Sequence, residues 1–288
     1  MGTVNDDYPT KAKKQMSDAD LKAKAIAQYE AKDVTEKVEA HKFPTEIIEL
    51  PSKGKFYPKG HPLSNGKIEM RYMTAREEDI LTNQSYIKSG VVLDKLFQSL
   101  LVTEVNYNDL LIGDKNAIMI AARVLGYGKD YEIDVTTPSG NTQKLNVDLT
   151  KLGDKEIDWE AIKEGEQEIT TTLPASKRSV TLRLTTHGLQ RKMDRENEGL
   201  KKLKKDASVT TLLKHIITAI DGESDTKSIR HFVDNELFAL DSRHIRREIK
   251  KGTPDIDMSI DCIDEEDGEP FRSNFSIGLD FFWPDAEV

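Results

Sequence analysis

The side chains that could do chemistry are six histidines, one cysteine and one run of three acids. His41, His61, His187, His215, His231 and His244 are scattered along the chain. None has the short spacing by which a helix or turn presents two imidazoles to one metal. His231 and His244 fall in helical sequence, but nothing in their separation fixes their approach. Cys262 is the only cysteine, which excludes an intrachain disulfide and a cysteine-built zinc site. Asp261 and Asp264 flank it and oppose thiolate formation. Glu77-Glu78-Asp79 lies just after Thr74, and Thr74 with Glu77 has the spacing of a capping box. Acids in a first helical turn also complement the helix dipole, so the run reads as a helix start rather than a metal or catalytic cluster. No phosphate-binding glycine loop, nucleophile elbow or paired-histidine zinc motif occurs. Gly126-Tyr127-Gly128 lacks the third glycine and following helix of a dinucleotide loop. No enzymatic activity, cofactor or small-molecule substrate is expected.

What remains is chemistry of contact. Lys201-Lys202-Leu203-Lys204-Lys205 is a dense basic patch, but it has no interleaved aromatics and follows Glu196 and Glu198. It reads as a solvated helix face, and nucleic-acid binding is not expected. Phe281-Phe282-Trp283-Pro284 groups large apolar residues near the end of the sequence. They would close the core of the second half or anchor a partner, since aromatics dominate binding hot spots. The segment Leu50-Pro51-Ser52-Lys53-Gly54-Lys55-Phe56-Tyr57-Pro58 joins two basic and two aromatic side chains to a stiff backbone. Three prolines and two glycines between Pro51 and Pro62 fix φ and supply tight turns. Lys53, Lys55, Phe56 and Tyr57, together with Phe282 and Trp283, are the candidate partner-binding residues.

The elements that must position these residues follow from periodicity. Residues 1–16 carry no apolar period, and Ser17 opens a charged stretch of helix formers to about Ala40. Residues 1–44 therefore read as a flexible or helical arm. Ile47-Ile48-Glu49-Leu50 is a short strand, and Lys67–Met73 alternates as a half-buried strand. Helices are expected over 91–101 and 114–125, the latter ended by Gly126 and Gly128. A hairpin follows, Tyr131–Val135 with Leu145–Leu149 around a Pro138–Asn141 turn. A second hairpin joins Glu168–Leu173 to Val180–Leu184 around Pro174. Residues 187–205 are helical and charged. Val209, Leu212, Leu213, Ile216, Ile217 and Ile220 then form an apolar stripe that predicts one helix from a Ser208 cap to Ile220. Helices near 226–238 and 242–251 precede a third hairpin, Ile256–Cys262 with Phe275–Pro284.

The order predicts an α+β fold of two similarly built halves, 45–150 and 151–288, each combining helices with antiparallel hairpins. No residue-level repeat is evident. The chain of 288 residues is 32% charged with a formal charge of −9, which suits long solvated helices, a partly disordered end, or both. Residues 252–288 carry one basic side chain, Arg272, against eleven acids, whereas 187–251 carry fifteen basic against eleven acidic. Such asymmetry points to self-neutralising packing or a complementary partner. No apolar run is long enough to cross a bilayer, and Met1–Asp7 lacks the regions of a signal peptide. No membrane insertion is expected, and a reducing compartment fits the lone cysteine.

With these residues laid out, the chain resembles the T4-like bacteriophage baseplate protein family, the group that includes the baseplate hub assembly protein. The likeness rests on Leu50–Pro58, on His61-Pro62-Leu63 and on Arg71-Tyr72-Met73-Thr74-Ala75-Arg76-Glu77-Glu78-Asp79-Ile80-Leu81. Leu93-Asp94-Lys95-Leu96 and Phe282-Trp283-Pro284 add to it, and it covers about 45–150 well and the remainder loosely. Members of the family resemble one another in carrying paired cysteines in hairpin turns, in the manner of a zinc knuckle. Here the matching turn is Thr137-Pro138-Ser139-Gly140-Asn141, and only Cys262 remains, so a zinc site is not carried over. The resemblance implies a structural, non-enzymatic protein of a contractile tail that binds other tail or baseplate proteins in hub assembly. It would be made in the host cytoplasm, and the resemblance leaves open whether it stays in the virion tail baseplate. The alternative is a transient tail-assembly chaperone absent from the mature virion.

Overall fold

The computed structural model describes residues 44–159, 162–277 and 280–282. The chain divides into Met1–Pro44 and Thr45–Val288, and the helical reading of the arm lies outside the described residues. Within the second unit the fold is α+β, with helices and small antiparallel sheets.

Each half begins with a strand pair. β1 (Thr45–Glu49) and β2 (Lys67–Arg71) run antiparallel, with Thr45 opposite Arg71 and Glu49 opposite Lys67. Short helices α1 (Ala75–Leu81) and α2 (Gln84–Lys88) lead to α3 (Val92–Leu100). α4 (Ile112–Tyr127) buries Ile118, Met119 and Ala122 and stops at Gly128, whose φ of 89° is open to glycine. The hairpin of β3 (Asp130–Thr136) and β4 (Thr142–Asp148) completes this half.

The second half repeats the order. β5 (Glu168–Thr172) and β6 (Ser179–Arg183) pair from Glu168 opposite Arg183 to Thr172 opposite Ser179. α5 (His187–Lys202) and α6 (Ser208–Ile216) follow, then β7 (Ile217–Ile220), α7 (Thr226–Asn235) and α8 (Ala239–Gly252). The closing hairpin is β8 (Ser259–Ile263) with β9 (Pro270–Asn274).

The correspondence reaches single residues. Leu50-Pro51 and Leu173-Pro174 stand at the same place after β1 and β5, and both leucines are fully buried. Each turn holds a lysine at positive φ, Lys53 at 51° and Lys177 at 62°. Arg71 ends β2 and donates Nε to the Ser99 carbonyl near the end of α3, at 2.8 Å. Arg183 ends β6 and donates Nε to the His215 carbonyl near the end of α6, at 2.7 Å. Thr74 and Thr186, each three residues beyond its arginine, cap the next helix. Leu101 after α3 bridges to Met70, as Ile217 after α6 pairs with Leu182. An aspartate in the first turn of a later helix catches each proline turn. Asp114 accepts from Ser52 N at 3.0 Å, and Asp241 accepts from Ala175 N and Ser176 N at 2.7 and 3.0 Å.

Three sequence expectations need correction. The stripe from Val209 does not form one helix to Ile220. The helix ends at Ile216, and Ile217–Ile220 becomes the third strand on β6. Ile217, Thr218 and Ile220 are β-branched and suit a strand, and the open edge of β6 supplies the ladder that decides the matter. The second arm of the last hairpin lies at Pro270–Asn274, because a turn closes earlier, with Asp264 N bonded to Glu269 O and Gly268 N to Asp264 O. Phe281 and Phe282 therefore leave the hairpin for a 3₁₀ turn. They do not close the core of the second half: both are fully buried in the larger cluster, with Leu50, Phe97 and Ile118. Arg123 fixes them by donating to the Phe281 carbonyl at 3.1 Å, and Tyr131 meets the Phe281 ring edge-on at 4.8 Å. The smaller cluster is formed by Leu173, Val180, Leu182, Leu213, Ile216, Phe232, Ile245 and their neighbours.

Candidate docking surface

The Pro51–Gly66 loop is held from beneath by one carboxylate. Asp114 is fully buried at the start of α4, and Tyr57 donates its hydroxyl to it at 2.6 Å. The same hydroxyl accepts from Leu111 N at 3.0 Å. Burial pushes the Asp114 carboxyl above its ordinary range, against the pull of the Tyr57 and Ser52 hydrogen bonds. Burial, then the adjacent Asp114 charge, raises the Tyr57 phenol as well. The loop crosses itself where Gly54 and Gly66 meet, at φ of 75° and 71°. A Cβ on Gly66 would lie 2.6 Å from the Lys53 carbonyl carbon, so only glycine permits the crossing.

These contacts sort the expected binding residues. Phe56 and Tyr57 are 1% and 3% exposed and Phe282 is fully buried, so all three serve the core. Their size and apolar area favour burial over display once α4 and the last hairpin supply a cavity. Lys53 remains at the surface, paired with Asp154. Lys55 is half-buried with its ammonium 5.2 Å from the Trp159 ring centre, and its carbonyl accepts from Gly165 N. Trp283 lies outside the described residues. The loop that follows the first strand is thus a brace that leaves Lys53 and Lys59 exposed and Lys55 half-buried.

That strand, β1, is where the surface is unusual. Ile47 is 61% exposed. On the other face of the strand, Ile48 joins Ala117, Ile120, Ala121 and Val124 of α4 and Leu152 in an apolar groove of about 340 Å³, rimmed by Glu46 and Glu49. The sequence reading missed this groove, whose one signal was the run Ala117–Val124, apolar on more sides than a core-facing helix needs.

The buried charges outside the loop are structural. Glu77 is fully buried and takes Arg71 at 2.6 Å, the Ser99 hydroxyl at 2.7 Å and the Thr74 amide at 2.9 Å. Burial works to raise its carboxyl, but these hydrogen bonds outweigh it and hold the group below the usual range. The acidic run is therefore a capped helix start. Asp94 lies 2.9 Å from His187 Nε2 and 2.7 Å from Arg191, tying α3 to α5. Burial raises the Cys262 thiol, with a further push from Asp261. Among the described residues no group of three His, Cys, Asp or Glu is placed to hold a metal ion. Nor is any helix among them long and apolar enough to cross a membrane. The acidic tip of the last hairpin does not neutralise the basic helices. It sits on the β3–β4 turn, where the Ser139 hydroxyl donates to Asp264 at 2.7 Å and Gln143 donates to the Ile263 carbonyl at 2.9 Å.

A braced loop, an open strand edge and an apolar groove are features of a protein that builds by contact. The family model described as T4 bacteriophage base plate protein matches residues 43–267, from just before β1 into the turn of the last hairpin. The chain belongs to this family. This phage baseplate protein thus has a structural role, and the loop, β1 and the groove all lie inside the matched region. No curated protein and no solved structure gives a significant match to the chain.

Proposed function

We propose that this baseplate protein is a non-enzymatic component of a contractile tail that takes part in hub assembly by binding other tail proteins. Residues 45–150 and 151–288 act as two repeats of one unit, of which the first carries the binding face. The observation that supports this reading is the pairing of family membership with an exposed apolar face on β1, next to the loop it braces. Lys53 and Lys55, on the loop that follows β1, contribute charge. Phe56, Tyr57 and Phe282 act indirectly, by keeping β1 and the loop rigid.

Mass spectrometry of purified tails beside lysate from infected cells tests the reading. Integral stoichiometry in tails is the expected result. Detection only in lysate, bound to another tail protein, would replace it by a transient assembly chaperone. Absence from every tail complex would end both.

A further inference from the structure

The two repeats provide an internal control for what β1 is for. Leu50 N bonds to Gly66 O at the end of the β1–β2 ladder. Antiparallel alternation then turns the backbone groups of Glu46 and Ile48 towards β2, and those of Thr45, Ile47 and Glu49 away from it. Leu173 N bonds to Arg178 O at the equivalent place, so Glu168, Thr170 and Thr172 of β5 face away likewise. Among the described residues no strand pairs with either outer edge. Open edges invite pairing, and polar or charged side chains blunt them. β5 has Glu168, Thr170 and Thr172 along its edge. β1 has Ile47, exposed at its centre.

The helix behind each strand diverges in the same sense. Counting from Asp114 and Asp241, the groove residues Ala117, Ile120, Ala121 and Val124 correspond to His244, Arg247, Glu248 and Lys251. In the second repeat His244 lies 3.0 Å from the Thr171 hydroxyl, and Glu248 pairs with Arg247 and Lys251. The site is filled and polar there. In the first repeat it is apolar and open. Solvent alone would favour the second solution in both places, because apolar surface left in water gives up the stabilisation of burial.

We propose that the outer edge of β1 receives an extended apolar segment of another tail protein as an added strand, with lysine or arginine flanking that segment. This rests on the reading of the chain as a partner-binding baseplate protein. Main-chain bonds to Thr45, Ile47 and Glu49 hold the segment, and its side chains alternate between Ile47 on one face and the groove on the other. Glu46 on the rim selects the basic flanks, with Glu49 joining it by exchanging its exposed 3.5 Å pairing with Lys67. A second copy of β1 fits less well, since it would bring its own Glu46 and Glu49 to the same edge.

The test places a photo-crosslinking amino acid at position 47 of the full chain in phage-producing cells, and maps the adduct by mass spectrometry. The expected adduct is one basic-flanked apolar segment of a different tail protein. A synthetic peptide of that segment should bind the purified full chain, and Ile47→Lys should weaken it by at least about tenfold with an unchanged unfolding midpoint. Thr170→Lys, on the equivalent edge, should leave binding unaltered. N-methylation of alternate peptide amides should abolish it, which a purely side-chain contact would not require. An adduct on Thr45–Glu49 of a second copy, on a helix or on nothing overturns the proposal, as does full binding by Ile47→Lys. Presence of the chain in tails without the adduct would sink the strand addition and leave the baseplate function standing.

Discussion

The first repeat buries the arginine that anchors its strand to a helix, and the second leaves the corresponding arginine exposed. Arg71 is 8% exposed and shares the fully buried Glu77 with Ser99 and Thr74. Its counterpart Arg183 is exposed and keeps the shared bond to the helix carbonyl. His215, at the place of Ser99, instead meets Glu196 at 2.8 Å. The anchoring bond is common to both repeats, but its surroundings are not. One architecture can therefore hold the same anchoring bond dry in one copy and wet in the other. The buried anchor belongs to the repeat that carries the apolar edge, where an ordered strand lowers the entropy lost on binding.

The comparison is sharpest under substitution. Arg71→Ala should cost about 4 kcal/mol, because it strands a buried carboxylate, whereas Arg183→Ala should cost about 1 kcal/mol. Equal losses in chemical denaturation would show that the two anchors are not differently buried. Asp114→Ala should cost about 3 kcal/mol through the unpaired Ser52 amide and Tyr57 hydroxyl. Asp241→Ala should cost about 2 kcal/mol, since the two amides it leaves lie in a less buried turn.

The pH dependence separates the carboxylates of the first repeat by sign. Glu77 is depressed in the folded state, so its contribution is present above the ordinary value of 4.5 and is lost as pH falls through the folded one. Asp114 is raised, so its contribution is most favourable below 3.8 and declines as pH climbs through its folded value. Glu77→Gln should accordingly flatten the acid limb of a stability–pH curve, while Asp114→Asn should remove an opposing slope. Identical slopes for the two variants would contradict the assignment. The smallest effect is expected at the caps. Thr74→Ala should cost about 1 kcal/mol, and Thr186→Ala a similar amount through its bond to Leu189 N. An unmoved midpoint for Thr74→Ala would refute the helix start at that residue.

What could be read from the residues was local. The Thr74–Glu77 cap, the stop at Gly128 and the first two hairpins follow from contacts within a few positions of each residue. The choice at Ile217 was not local, because a β-branched run continues a helix or joins a sheet according to whether a strand edge waits for it. The candidate site was half legible for the same reason. Leu50–Pro58 stood out by its prolines and glycines, but the segment chiefly braces its surroundings, and the exposed face is on β1.

The sequence by itself determined most of the helices, the first two hairpins, the α+β class, the solitary cysteine and the family resemblance. These depend on period, on turn chemistry and on residue type. Tertiary structure alone decided that Phe56, Tyr57 and Phe282 are core and that Asp114 and Asp241 each hold a proline turn by its backbone amides. Those equivalences are carried by hydrogen bonds to backbone groups and by burial. Different side chains can satisfy the same backbone carbonyl or fill the same space, so the repeat persists in geometry where its residues have diverged.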